Sequence, residues 1–461
     1  VAEVTADSKD AQNAPLVLAF YLPQFHQTPE NDAWHEGGFT EWTVVARSKP
    51  LFPGHRQPEL PGELGFYDLR VPETRLFQAN LAREHGVSGF LYYHYWFKGR
   101  QMLSRPLDEV FKSGRPDFPF ALCWANESWF RRWQGSVDEL IVEQEFDEED
   151  DVTHIRWLIE RFKDPRYIRV NGRPLLTVYR AQLLPDPRKT VEIWTRECEA
   201  AGVEPPWLVL FETLETIGDP NDLGFDASAE FVPHMLGNLI DPLPTPSGDQ
   251  MSNMIYKYED VAEAYLGRPM PTWTRYPCVA TGWDNSPRRQ AGEALVLQGS
   301  TPQAYGRWLT RAVRRQMKTD HTGVVFINAW NEWAEGAHLE PDAFWGRAYL
   351  EMTRKVMEEE AGFVAPRPAD SDLEFDSTPT DELYAELYQR FVALQSLSSG
   401  FVSYADRRLK ELQKYYDGRL AESRREAEII AQLNQELIEK CELHSDRLSE
   451  LDATSTSLDE S

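Results

Sequence analysis

The sequence predicts a closed (β/α)8 barrel, an α/β fold of the TIM type, followed by a helical and coiled-coil extension. Three observations carry this reading. Eight short runs of apolar, β-branched or aromatic residues recur between residues 16 and 330. Many are separated by amphipathic stretches long enough for a helix, the alternation expected of βα units. Polar and aromatic clusters stand directly behind several runs, and a barrel gathers its reactive groups at the C-terminal ends of its strands.

In chain order the runs are "LVLAFYL" (16–22), "GFLYYHYW" (89–96), "PFALCW" (119–124), "PLLTVY" (174–179), "WLVLFE" (207–212), "ASAEFV" (227–232), "CVATGW" (278–283) and "GVVFINAW" (323–330). Helices are expected at 72–86, opened by Pro72 and closed near Gly86, and at 149–163, 190–201, 302–318 and 342–360. No helix is evident after the fifth run, and 235–275, rich in Pro and Gly, reads as irregular.

Residues 1–14 read as a disordered N-terminal segment and 15–365 as the barrel. Next comes "APRPADSDLEFDSTPTDE", rich in Pro, Asp and Ser, which reads as a linker over 366–382. Over 383–461, Leu409, Leu412, Tyr416, Leu420, Ala427, Ile430, Leu437, Cys441, Leu448 and Leu451 recur at helical steps among charged residues. That pattern predicts an amphipathic or coiled-coil helix for self-association, partner docking or packing back on the barrel, with a disordered tail "DATSTSLDES".

Composition narrows the function. The 461 residues are 41% hydrophobic and include 15 Trp, 18 Tyr and 23 Phe, enough for a large core and an aromatic binding surface. A formal charge of -27 repels polyanions, which argues against nucleic acid and anionic membrane surfaces as partners. Cys123, Cys198, Cys278 and Cys441 are dispersed without metal-ligand or disulfide spacing. No apolar run approaches a membrane span, and "VAEVTADSKDAQNAP" lacks the basic and apolar regions of a leader peptide, so a cytoplasmic location is expected.

The strand ends carry the chemistry. Behind the last run, "NAWNEWAEGAHLEPD" (328–342) sets Glu332 and Glu335 three residues apart between tryptophans. Cleaving a glycosidic bond needs one group to protonate the leaving oxygen and another to stabilise or replace the departing charge. Paired carboxylates about 5 to 9 Å apart do this. Residues three apart on a continuous strand face opposite sides, so the strand must end near Asn331 for both to share a cavity, and Gly336 permits the turn. The spacing is equally open to two loop carboxylates paired with arginines.

Trp330 and Trp333 would offer flat faces to a sugar ring or fill the core. Asp284, Asn285 and Arg288, behind Trp283, could grip sugar hydroxyls or form an ordinary ion pair. Asn126 and Glu127 stand between Trp124 and Trp129. Strand alternation puts His94 opposite Tyr93 and Tyr95, in the barrel interior or under a helix. His26, His234 and His338 lack HxH or HExxH spacing, so no metal is expected. Walker loops and GxSxG elbows are absent from the sequence, and no cofactor is implied.

At these residues the chain resembles a known family. "AFYLPQFH", "GGFTEW", "YYHYWFKG", "CWANESW", "YRAQLLPD", "GWDNSPRR" and "NAWNEWAEGAHLEPD", in that order over about 15–360, are similar to the WbsX-type family, also described as glycoside hydrolase family 99-like domains. The resemblance implies a (β/α)8 barrel acting on a polysaccharide or oligosaccharide, and a more distant similarity to the family 99 endo-α-1,2-mannosidases and mannanases. It implies that Glu332 deprotonates the sugar 2-hydroxyl, which attacks the anomeric carbon to give a 1,2-anhydro sugar, and that Glu335 is the acid/base. WbsX-type members are also labelled glycosyltransferases, though no donor-nucleotide motif is visible here. The motifs supply an expected substrate-binding set: Tyr21, His26, Trp42, His94, Tyr95, Trp96, Trp124, Asn126, Glu127, Trp283, Asp284, Arg288, Asn331 and Trp333.

Overall fold

Each of the eight apolar runs forms a strand: β1 (Leu16–Tyr21), β2 (Gly89–Phe97), β3 (Phe120–Trp124), β4 (Arg173–Val178), β5 (Trp207–Glu212), β6 (Ala227–Glu230), β7 (Arg275–Tyr276 with Cys278–Ala280) and β8 (Val324–Asn328). The computed structural model that gives these elements describes residues 14–366 apart from 36, 53–54, 132–138, 214–217, 244–253, 290–292 and 320–322. The segment before residue 14, most of the linker and the expected coiled-coil helix lie outside the described residues.

The strands pair in parallel in sequence order, and β8 returns to β1 through Leu16↔Val324 and Val17↔Val325. Closure depends on a break in β7. Arg275 and Tyr276 pair with Ser228 and Ala229 of β6, whereas Cys278, Val279 and Ala280 pair with β8. Pro277, which separates the halves, has no N–H to donate. Its carbonyl still accepts from the Phe326 N–H at 3.0 Å. One strand is thereby fastened to different neighbours below and above the proline.

Inward-facing aromatics fill the barrel. The Phe20 ring lies 5.1 Å from Phe211, 5.3 Å from Phe231 and 5.4 Å from Tyr93. Such stacked, tilted and edge contacts make a packed plug rather than a pore.

The outer layer contains α3 (Pro72–Glu84), α4 (Arg105–Ser113), α5 (Glu148–Phe162), α6 (Pro187–Ala200), α7 (Tyr258–Leu266), α8 (Pro302–Gln316) and α9 (Ala348–Ala361), with the short α1 (Pro29–Trp34) and α2 (Glu41–Arg47) in the loop after β1. After β5 a 3-10 turn (Pro220–Leu223) stands where a helix would, as the sequence suggests. Near there the outward carboxylates Glu212 and Glu230, both buried, are covered by Arg268, and Arg275 approaches Glu230.

Two expectations are corrected. The stretch 235–275 contains a strand (Met254–Lys257) and α7, whose buried Val261, Ala262 and Tyr265 give it an apolar face too short to stand out in sequence. The last helix starts at Ala348, not 342, because the Asp342 carboxylate accepts the Phe344 and Trp345 N–H groups and holds a turn there. Among the described residues no helix is long and apolar enough to cross a membrane.

Candidate active site

At the C-terminal mouth of the barrel lies a cavity of about 820 Å³, lined by Gln24, Tyr93, Tyr95, Glu127, Trp129, Tyr179, His234, Trp283, Arg288, Glu332 and Glu335 among others. The chain leaves β8 at Asn328, forms a two-residue strand at Asn331–Glu332 against Ala337–His338, and turns between them in a 3-10 helix, Trp333–Glu335. Gly336, at φ +60°, closes the turn, and its N–H donates to the Trp333 carbonyl. A Cβ at Gly336 would come within 2.9 Å of the Asp284 nitrogen. The condition read from sequence is that the strand must end near Asn331; β8 ends at Asn328 and the turn follows the two-residue strand Asn331–Glu332.

Both carboxylates converge on Arg288. Its Nη2 donates to Glu332 Oε1 at 2.6 Å, and its Nη1 lies 2.9 Å from Glu335 Oε1. Two adjacent terminal nitrogens of a planar guanidinium thus hold the pair, so their nearest oxygens lie no more than about 8 Å apart, below the upper limit for glycosidase pairs. Glu41, the first residue of α2, takes the other side of Arg288, accepting from Nε at 3.2 Å and Nη2 at 3.0 Å.

Burial is the largest influence on both Glu332 and Glu335 and pushes their carboxyls above the usual range. Arg288 opposes that shift and the neighbouring carboxylates, Glu41 among them, reinforce it. Three carboxylates facing one guanidinium in a poorly solvated site favour retention of a proton by the pair. Glu332 is the deeper, with its side chain 5% exposed against 21% for Glu335. Depth alone would place the proton on Glu332, but Glu332 also makes the shorter contact with the guanidinium, which favours its ionised form.

Of the expected set, the cavity brings together Tyr95, Glu127, Trp283, Arg288 and the two glutamates. Glu127 accepts from Arg180 at 2.7 Å, and Tyr95 accepts from Gln24 at 2.9 Å. The others take positions outside its lining. His94, Trp96 and Trp124 face the helix layer: His94 stacks on Trp157 at 4.6 Å, Trp96 stacks on His154 and donates to Asp150, and Trp124 meets His154 edge-on. His94 and Tyr95 are consecutive strand residues and cannot both point inward. Tyr21, also outward, donates to Gln78 on α3.

Several expected ligands instead build the scaffold under the mouth. Asn331 Oδ1 accepts from the Leu22 N–H at 2.7 Å, and Asn331 Nδ2 donates to the Leu22 carbonyl, joining the turn that bears the two glutamates to the end of β1. Trp333 stacks on His338 at 3.7 Å and donates to Glu340, while Trp330 is wholly buried, so neither indole offers a face to a sugar. Trp42 packs between Phe25 and Trp333. Asn126 bridges to the backbone of Arg180, and His26 is buried in the loop between β1 and α1. The Asp284 carboxylate is taken up by His55 and Gln57, both at 2.6 Å, and faces a neighbouring pocket.

The cavity's aromatic walls include Tyr93, Tyr95, Tyr179, Trp129 and Trp283. Burial raises the phenols of Tyr93, Tyr95 and Tyr179 and keeps them protonated. Tyr93 was legible from alternation with Tyr95. Glu41 was not, because nothing near it in sequence marks its distant partner Arg288.

The family model described as "Glycosyltransferase WbsX" matches residues 17–353. The chain belongs to the WbsX family. Proteins described as "Uncharacterized protein WxcX", from two strains of Xanthomonas campestris pv. campestris, are 42% identical over 351 residues, covering 74% of this chain and 49% of theirs. This WbsX-family chain therefore spans about half the length of these curated relatives. Among solved structures, a glycoside hydrolase-like protein aligns at 12% identity and a TM-score of 0.49, covering 74% of this chain and 94% of that one. The GH99 endo-alpha-mannosidase from Bacteroides thetaiotaomicron aligns at 16% identity and a TM-score of 0.44, covering 74% and 96%.

Proposed function

We propose that this WbsX-family protein is a retaining, endo-acting glycoside hydrolase or transglycosidase working on a bacterial polysaccharide or surface glycan. The observation that carries the reading is the pair of buried carboxylates on one guanidinium, facing a cavity roomy enough for saccharide rings. In the first step Glu332 accepts the 2-hydroxyl proton, O2 attacks the anomeric carbon, and the bond to the leaving oxygen breaks as Glu335 protonates it. In the second, water or an acceptor hydroxyl opens the 1,2-anhydro ring as Glu335 takes its proton and Glu332 returns the first proton to O2. The scheme needs Glu332 ionised and Glu335 protonated; the shorter Arg288–Glu332 contact works toward that distribution and the deeper burial of Glu332 works against it. Tyr93, Tyr95 and Tyr179 supply hydroxyls and ring faces for the sugar.

The test is a screen of defined bacterial glycans, with products read by mass and anomeric configuration by NMR. Glu335→Gln is expected to lower cleavage of an unactivated glycan by at least about 10³-fold while binding persists. Full activity in that variant, or an inverted product, would remove the assignment. The family model's description favours a second reading, sugar transfer from a nucleotide- or lipid-linked donor. Glycan cleavage without any such donor separates the two.

A further inference from the structure

The "GGFTEW" segment holds a residue that the proposed reaction does not yet use. Trp42, beside Glu41, has its ring 4.5 Å from Phe25 and 5.6 Å from Trp333 and donates to the Tyr67 carbonyl at 2.8 Å. The start of α2 is therefore packed against the turn that carries Glu332 and Glu335. Glu41 is 12% exposed at its side chain and accepts two N–H groups of Arg288. Arg288, by contrast, stands on a one-turn 3-10 segment (Ser286–Arg288) and reaches across to the glutamates.

We propose that Glu41 is a positioning residue: it fixes the guanidinium of Arg288 from behind and offsets part of its charge, so that the Glu332/Glu335 pair keeps one proton near neutral pH. The inference rests on the reading of that pair as catalytic. A guanidinium shared by two carboxylates stabilises both as anions and works against the burial that keeps on the pair the proton a general acid must donate. A third carboxylate, held on a packed helix, restores the balance by charge and leaves both terminal nitrogens aimed at the pair. Charge repulsion acts in the same sense, since the Glu41 carboxylate raises the carboxyls of both Glu332 and Glu335.

The other charged and titratable groups around the pair come from every side. Tyr93 and Tyr95 lie on β2 and Tyr179 just beyond β4, while Glu127 stands behind β3, His234 behind β6, and Arg289 and Glu293 in the loop after β7. Glu127 is already engaged by Arg180, and the buried phenols stay protonated. Among these described groups, Glu41 is the carboxylate hydrogen-bonded to the same guanidinium as the pair.

Carboxyl ¹³C shifts of Glu332 and Glu335, assigned with Glu332→Gln and Glu335→Gln, can be followed against pH in the ligand-free full chain. Glu41→Gln keeps an oxygen acceptor and loses the charge. The pair's upper titration midpoint should fall by about one pH unit, a tenfold loss of proton affinity. Glu41→Asp keeps the charge and should stay within a few tenths of a unit of the parent. An unmoved midpoint in Glu41→Gln, or equal shifts in both variants, would overturn the proposal. Should Glu41→Gln fail to fold, Glu41→Ala, which also removes the charge, is titrated in its place with a fall of the same sign expected, and an unmoved midpoint there overturns the proposal. No turnover is read, so the outcome is independent of whether the protein cleaves glycans.

Discussion

Glu340 is enclosed by neutral donors: Trp333 Nε1 at 2.7 Å, the Tyr67 hydroxyl at 2.8 Å and Gln78 Nε2 at 2.6 Å. Burial pushes its carboxyl up from 4.5 to about 7, and these hydrogen bonds only partly offset the shift. A carboxyl that binds its proton more tightly folded than unfolded stabilises the fold fully below pH 4.5. That stability drains away as pH rises through about 7, a swing of roughly 3 kcal/mol. Glu340→Gln keeps one acceptor and cannot ionise, so its stability relative to the parent should improve from pH 5 to pH 8. Parallel denaturation midpoints across that range would refute this. At this scale the sequence was half legible. Motif spacing located Glu332, Glu335 and Arg288, and alternation along "YYHYW" could sort Tyr93 and Tyr95 from His94. Nothing in linear order told that Asn331 and Asp284 spend their polar atoms on Leu22 and His55, which arrive from distant segments, or that the turn at Gly336 folds Glu340 back onto Trp333 seven residues earlier.

Among the elements, the turn from Trp333 to Gly336 is the most tightly specified. Gly336 sits at φ +60°, and the Asp284 N–H donates to the Glu335 carbonyl at 2.6 Å, so two loops are locked where a Cβ has no room. Gly336→Ala should therefore cost about 1–2 kcal/mol in backbone strain. It should depress glycan cleavage far more than that loss of stability explains, because Glu335 must shift with the turn. Thermal denaturation beside turnover separates the two effects, and an active, merely less stable variant would show that the turn's placement is not limiting. Strands were legible because a buried parallel strand reads as a continuous apolar run. Short helices were not. α1, α2 and α7 have six to nine residues each, too few turns for an apolar stripe to emerge from its surroundings.

Across the whole molecule, the barrel organises its polar groups by direction. Inward residues make an aromatic plug below and an acidic, phenol-walled cavity above. Outward residues meet helices, except near the 3-10 turn after β5, where arginines cover Glu212 and Glu230. The count and order of strands were legible, whereas the manner of closure was not, since the seventh run reads as starting at Cys278 and the two residues before Pro277 that pair with β6 carry no strand signal of their own. The effect of the proline reaches beyond β7. The wall bearing Trp283 and Arg288 hangs from a strip stitched to one side beneath the imino acid and to the other side above it, much as a door hangs on offset hinges. Such a strip can shear without unzipping either neighbour. Amide protons of Tyr276 and Cys278 should consequently trade for deuterium sooner than those in the middle of β1 or β2. Equal protection at all four places would mean that the barrel yields everywhere at once.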